Sequence, residues 1–198
     1  MTVALVLGGA ECLFKDLKAA EQLFKPDTIV AVKDIGITYP RVDHWVTYHP
    51  ERVTNEIRQR RALGYRDPCL WTYDTFRLDP FTKDNWGGLQ IRRVDRRGGS
   101  SGFMGMVVGV TVADKCVLAG IPMDPNLKHY RRPKPQGWKE AMMYRKVWSD
   151  AFEEYQHLVR SMSGWTRELF GAPTREWLDA PSQKPPARVL PFQAKRRV

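Results

Sequence analysis

The sequence predicts an α/β fold with a mainly parallel sheet, followed by a basic, proline-rich C-terminal tail. Three observations carry that prediction. The chain opens on a continuous apolar and β-branched run, Thr2 to Leu7 (TVALVL), the pattern of a strand buried on both faces. Gly8, Gly9 and Ala10 then turn it into a helical stripe of Leu13, Leu17, Ala20 and Phe24 that stops before Pro26. Further on, Gly98 to Asp124 (GGSSGFMGMVVGVTVADKCVLAGIPMD) reads as loop, buried helix, central strand and a polar residue at the strand's carboxyl end. Repeated strand–turn–helix units of this kind build a Rossmann-like three-layer sandwich.

The remaining elements follow in order. Thr28 to Val32 is a second strand with Lys33 and Asp34 at its carboxyl end, and His44 to Tyr48 a third, ending in His49-Pro50-Glu51. Val53 to Leu63 is a helix with a strongly basic outer face, stopped by Gly64; Cys69 to Tyr73 is an edge-like fourth strand. Asp74 to Gly99 is the least regular stretch, and its length and position suit a lid over the loop that follows. In that loop Ser100 or Ser101 caps a helix whose Gly102, Gly105 and Gly109 share one face, leaving other first-turn amides for an anion. Glycine costs a helix about 1 kcal/mol relative to alanine, so the stripe reflects close approach either to a ligand or to the sheet. Cys116 to Ile121 is the fifth strand, Trp138 to Gln156 a long amphipathic helix, His157 to Met162 a last strand, and Trp165 to Phe170 a short helix. The folded domain is expected over residues 1–172 and the tail over 173–198.

At 198 residues the chain has room for one such domain. Cys12, Cys69 and Cys116 are odd in number and lack CxxC spacing, so they read as reduced thiols. No apolar run reaches the roughly 18–20 residues of a membrane span, and Met1 to Gly9 carries no basic leader; a cytoplasmic location and no membrane partner are expected. The net charge of +10 favours polyanions. Half of it comes from Lys184, Arg188, Lys195, Arg196 and Arg197, with no acidic residue beyond Pro181. Two further groups, Arg92, Arg93, Arg96 and Arg97, then Lys128, Arg131, Arg132 and Lys134, flank the Gly98–Asp124 stretch and are expected to contact phosphate or nucleic acid.

With these elements placed, the chain resembles a group of Rossmann-like proteins. The group includes the bacterial sialyltransferases that use CMP-sialic acid and the MptE-like 6-hydroxymethylpterin pyrophosphokinases. The shared outline is VLVLGGAECL, VAVKDIG, HWVTYHPE and the serine-glycine loop running into a strand that ends G-I-x-x-D, over about Met1 to Asp124. It also looks like small proteins encoded in bacterial prophages. The resemblance implies nucleotide contacts at Gly8, Gly9, Ser100, Ser101 and Gly102, and a substrate contact at Asp34, where the sialyltransferases carry asparagine. After the fifth strand it implies a histidine base and a tyrosine on the phosphate, for which His129 and Tyr130, with Arg131 beside them, are the nearest candidates.

The residue types allow displacement at a nucleotide-activated donor. His129, or less directly His49, would take a hydroxyl proton while arginines and helix amides stabilise the leaving phosphate. Both histidines equally suit exposed loops. Asp34, Asp43 and Asp124 near strand ends could hold Mg2+ through one or two carboxylates, and equally suit turns; no metal-ligand spacing is present. Trp138, Trp148 and Trp165 fall at core spacing, whereas Trp71 and Trp86 are placed to stack on a base or sugar. The function expected is nucleotide or phospho-ligand binding, with transferase chemistry as its extension. The alternative is a non-catalytic phage accessory protein that binds DNA or a virion partner through its basic surface and tail.

Overall fold

The computed structural model describes residues 1–73, 89–94, 100–131 and 137–183. Within them, seven strands form one sheet in which every pairing is parallel. They are β1 (Val3–Leu7), β2 (Thr28–Val32), β3 (His44–Val46), β4 (Cys69–Thr72), β5 (Ile91–Arg93), β6 (Lys115–Ala119) and β7 (Val159–Ser161), in the order β5-β4-β3-β2-β1-β6-β7. The fold is Rossmann-like α/β. No helix among the described residues is long and apolar enough to cross a membrane.

The apolar runs are continuous because each strand feeds two cores. Val6, Val30 and Val32 point into one, with Phe103, Met106, Trp148 and Phe170. Leu5, Leu7, Ile29 and Ala31 point into the other, with Leu13, Leu17, Val53 and Ile57. The second core is capped by α1 (Leu13–Leu23), α2 (Ile35–Thr38) and α3 (Val53–Ala62). The first is covered chiefly by α4 (Ser101–Val112), which crosses β1, β2 and β6. A Cβ at Gly105 would lie 2.6 Å from Val32 Cγ2 and 3.0 Å from Val6 Cγ1, and one at Gly109 2.8 Å from Cys116 Sγ. These two glycines therefore exist for helix-on-sheet contact. Gly102, one turn earlier, meets Ile121 Cγ2 at 3.0 Å where the helix leaves the sheet.

Several expected boundaries move. Cys69–Thr72 is not an edge: the irregular stretch contains β5, whose Ile91 pairs with Leu70. The rest of the expected lid, with Trp86, Arg96 and Arg97, lies outside the described residues. The long helix is two, α5 (Ala141–Asp150) and α6 (Phe152–Tyr155), and Trp138 precedes it as a residue 37% exposed rather than in the core. Trp148 is fully buried as expected, and Trp165 is half-buried under the Arg145 guanidinium.

Packed structure continues past the expected 172/173 boundary, through α7 (Gly164–Phe170) into α8 (Arg175–Asp179), where Leu178 enters the second core. Lys115, 2% exposed, donates to the carbonyls of Trp177, Leu178 and Ala180. A cation gathering the last carbonyls of a helix is a C-terminal cap, and it ties α8 to β6. Residues 184–198, with the basic tail residues, lie outside the described residues. The basic face expected for α3 is interrupted by Arg60, which is fully buried and donates to the carbonyls of Gly36, Tyr39, Pro40 and Arg66.

Candidate functional site

Successive strands run outward from β1 to β5; the chain then returns to lay β6 against the other side of β1. Strand order reverses there, and the crevice outside the carboxyl ends of such a pair is where open α/β sheets hold ligands. A pocket of about 370 Å³ opens at this point, lined by the turns after β1, β2 and β6 and by the start of α4. That volume suits a small organic ligand.

The floor is backbone on backbone. Gly8 N–H donates to Ala119 O at 2.8 Å and Ala10 N–H to Gly120 O at 3.1 Å. A Cβ at Gly8 would lie 2.3 Å from Gly120 O, so only glycine fits. Gly120, at φ +66°, turns its N–H toward Asp16 Oδ2 at 2.8 Å, and the same oxygen accepts the Ser163 hydroxyl at 2.6 Å. Asp16 is buried within α1; a carboxylate on an amphipathic helix reads as solvated in sequence, and nothing in the pattern marks it as the group that holds the pocket floor.

The donor-rich wall is the first turn of α4. Ser100 caps it, its Oγ accepting from Phe103 N–H, and Ser101 and Gly102, whose amides as the first two of the helix have no intrahelical acceptor, line the pocket. Ser101 is 3% exposed, and its hydroxyl has no hydrogen-bond partner among the described residues. An orphaned buried hydroxyl costs about 1–3 kcal/mol. Three cations line the same space: Lys33, Arg52 and Lys128. The turn into α1, where dinucleotide folds hold a pyrophosphate, is closed by the protein itself: Glu11 N–H donates to Lys128 O and Lys128 N–H to the Glu11 carboxylate. Of the two helix starts, it is that of α4 whose residues Ser101 and Gly102 line the pocket.

Of the residues singled out from sequence, Gly8, Gly9, Asp34, Ser100, Ser101, Gly102, Asp124, Lys128 and His129 line this pocket. His129 comes in through an antiparallel bridge to Ala10, and its Nε2 lies 2.4 Å from where a Gly9 Cβ would be. Its Nδ1 accepts the Arg131 N–H at 3.2 Å. That contact uses Nδ1 as the acceptor, which in a neutral ring places the proton on Nε2. Tyr130 does not line the pocket: its hydroxyl pairs with Thr38 Oγ1 at 2.9 Å and its ring packs on Phe14 and the second core. Burial holds that phenol above its ordinary pKa. Arg131 is exposed outside the pocket.

Other expected contacts are placed elsewhere. Arg92 and Arg93 sit on the outer strand β5, Arg92 over the Trp71 ring. Trp71 is itself buried and donates to His44 Nδ1, so it presents no stacking face. Asp43 lies at the opposite end of the sheet, accepting from Ile29 N–H and paired with Arg66, and Asp124 accepts from Asn126 N–H in its own turn. His49 pairs with Glu51 away from the pocket. The three aspartates do not converge; among the described residues no group of three or more His, Cys, Asp or Glu could hold a metal ion. The aromatic wall is instead Trp138, beside Tyr144. Lys33, Arg52, Asp16 and Trp138 are thus the site residues that sequence reasoning left out.

Behind the floor, Cys12 Sγ lies 3.4 Å from Ser163 Oγ. Burial, opposed by the Ser163 contact and reinforced by the Asp16 charge, pushes its thiol from 9.0 up to about 11. A neutral thiol contributes stability that is complete below pH 9 and is lost as the pH rises toward 11. The wild-type urea midpoint is expected to fall over that interval more steeply than that of Cys12→Ala; parallel profiles would contradict the assignment. Comparison with protein-family models, with curated proteins and with solved structures finds no match.

Proposed function

We propose that this protein binds a phosphorylated small molecule of the nucleotide class at the carboxyl end of its sheet, with its phosphate on the first turn of α4. The observation that carries this reading is the set of unsatisfied donors around one cavity. The Ser101 and Gly102 amides and the buried Ser101 hydroxyl belong to residues of its lining. Lys33, Arg52 and Lys128 line it, and among the described residues none of their side chains makes a hydrogen bond or ion pair. A helix N-terminus with unpaired cations is an anion site.

The rest of the lining supports a nucleotide over a bare anion. Trp138 offers a ring for stacking at a wall of the pocket. Asp34, 7% exposed, brings a carboxylate to the same lining, a group that accepts from ligand hydroxyls. His129 lines the same pocket. The likeness to CMP-sialic-acid-dependent sialyltransferases and pterin pyrophosphokinases points the same way. Group transfer from a nucleotide-activated donor is the chemistry such a site would favour, the α4 amides stabilising the departing phosphate.

Thermal unfolding with inorganic pyrophosphate, nucleotides and nucleotide sugars, with and without Mg2+, tests the proposal. A ligand at about a hundred times its Kd adds roughly 2.7 kcal/mol, or several degrees for a chain of this size. A saturable rise with one nucleotide class is expected. No rise across the panel, or binding of DNA alone with steep salt dependence, would overturn it.

A further inference from the structure

Among the described residues two that are not glycine have positive φ, Lys33 at 52° and Met123 at 50°, and both line the pocket. Left-handed backbone costs an ordinary side chain about 1–2 kcal/mol, and such residues persist where their surroundings over-determine them, often at ligand sites. The surroundings of Lys33 do so. Its N–H donates to Val46 O at 2.9 Å, and its carbonyl accepts from Trp45 Nε1 at 2.8 Å. Trp45 is fully buried and wedged on Gly36, where a Cβ would lie 2.3 Å from Nε1.

The backbone at this position asks for glycine, and the fold makes no use of the lysine side chain. It is solvent-accessible, and its ammonium makes no hydrogen bond or ion pair among the described residues. Met123 differs: it is buried in the first core, and its carbonyl accepts from Arg145, so packing alone accounts for its identity. What Lys33 does have is a position one step beyond Val32, against which Gly105 of α4 packs. The left-handed turn after β2 therefore brings Lys33 into the lining of the same pocket as Ser101 and Gly102 at the start of α4. The crowding walls hold that ammonium below the ordinary lysine pKa; Asp34 opposes this and Arg52 adds to it.

We infer that Lys33 is the pocket's anion-selecting residue, kept in a strained conformation because that turn delivers its ammonium to the phosphate bound on α4. The inference rests on the proposed phospho-ligand site. It has a signature that packing alone would not give: the position is better for folding as glycine and better for binding as lysine.

The test compares Lys33→Gly, Lys33→Ala and Lys33→Arg with the wild type. Melting temperature is measured without ligand. Affinity is measured by calorimetry for inorganic pyrophosphate and for the nucleotide that raises the wild-type Tm most. Lys33→Gly is expected to melt a few degrees above the wild type, since the left-handed strain is relieved. Lys33→Ala keeps the strain and gains nothing. Both lose about tenfold or more in affinity, the scale of one charge-assisted hydrogen bond, while Lys33→Arg keeps most of it. Wild-type affinity in Lys33→Gly, or a glycine variant no more stable than the alanine one, overturns the inference and leaves the site standing. A wild type that binds neither probe overturns the site itself, and the stability comparison still reports on the strain.

Discussion

Gly8→Ala is expected to destabilise the protein by about 3 kcal/mol, the upper part of the range for overpacking. The added methyl would stand 2.3 Å from Gly120 O, 2.9 Å from Gly120 C and 2.4 Å from Ile121 Cγ1. Two of those atoms are backbone and cannot swing aside. Relief requires the ends of β1 and β6 to separate, which breaks the Gly8 N–H to Ala119 O hydrogen bond. At this chain length the loss is roughly 6–12 °C in Tm, and because the same backbone floors the pocket, ligand-induced stabilisation should vanish with it. Differential scanning calorimetry with and without nucleotide checks both. A Gly8→Ala protein that melts within about 1 °C of the wild type would show that the strands part freely, against the close approach described.

Asp16→Ala carries the second large effect, about 2–4 kcal/mol. The carboxylate accepts from Gly120 N–H and from the Ser163 hydroxyl. Each donor left buried without an acceptor costs about 1–3 kcal/mol, set against the gain from no longer burying a charge. Asp16→Asn keeps an amide oxygen for one of the two donors, so its loss should be intermediate. The urea midpoint is the readout. Nucleotide affinity should fall beyond what the stability loss explains, because Gly120 lines the pocket. Asp16→Ala within about 0.5 kcal/mol of the wild type would remove Asp16 from this role.

The fold was legible where burial writes itself into composition. β1 and β2 are packed on both faces, so Val3–Leu7 and Thr28–Val32 read as unbroken apolar runs. The glycine stripe of α4 announced a close approach without saying to what; Gly105 and Gly109 turned out to meet the sheet. β5 was illegible because Ile91-Arg92-Arg93 is short, polar and exposed on two of three residues, which is how an edge strand avoids recruiting partners. α8 was hidden by the prolines around it, although Leu178 packs into the second core and Lys115 caps its end.

For the site, residues that act through position in the chain were visible and those that act through a turn were not. Gly8, Gly9, Ser100, Ser101 and Gly102 follow or precede recognisable elements, and all line the pocket. Charge runs were a partial guide. Arg92 and Arg93 went to the outer strand, whereas Lys128 of the second cluster reached the cavity together with Lys33 and Arg52, neither part of a loop cluster. Tyr130 and His129 are neighbours in sequence, yet the bridge at Ala10–His129 sends the histidine over Gly9 and the tyrosine toward Thr38. The two rings still stack, with centroids 5.2 Å apart, so it is their polar atoms, the imidazole over Gly9 and the hydroxyl on Thr38, that part company.

The most direct test of the account is to follow backbone amide resonances of the isotopically labelled protein during titration with the nucleotide that raises its Tm. The Ser101 and Gly102 amides should shift furthest and saturate together with Gly8, Gly9 and the Trp138 indole, while the β5 arginines stay still. Shifts confined to the arginines of β5 and the residues beyond Pro181, with Ser101 and Gly102 unmoved, would mean that the basic surface holds the ligand and would contradict the pocket.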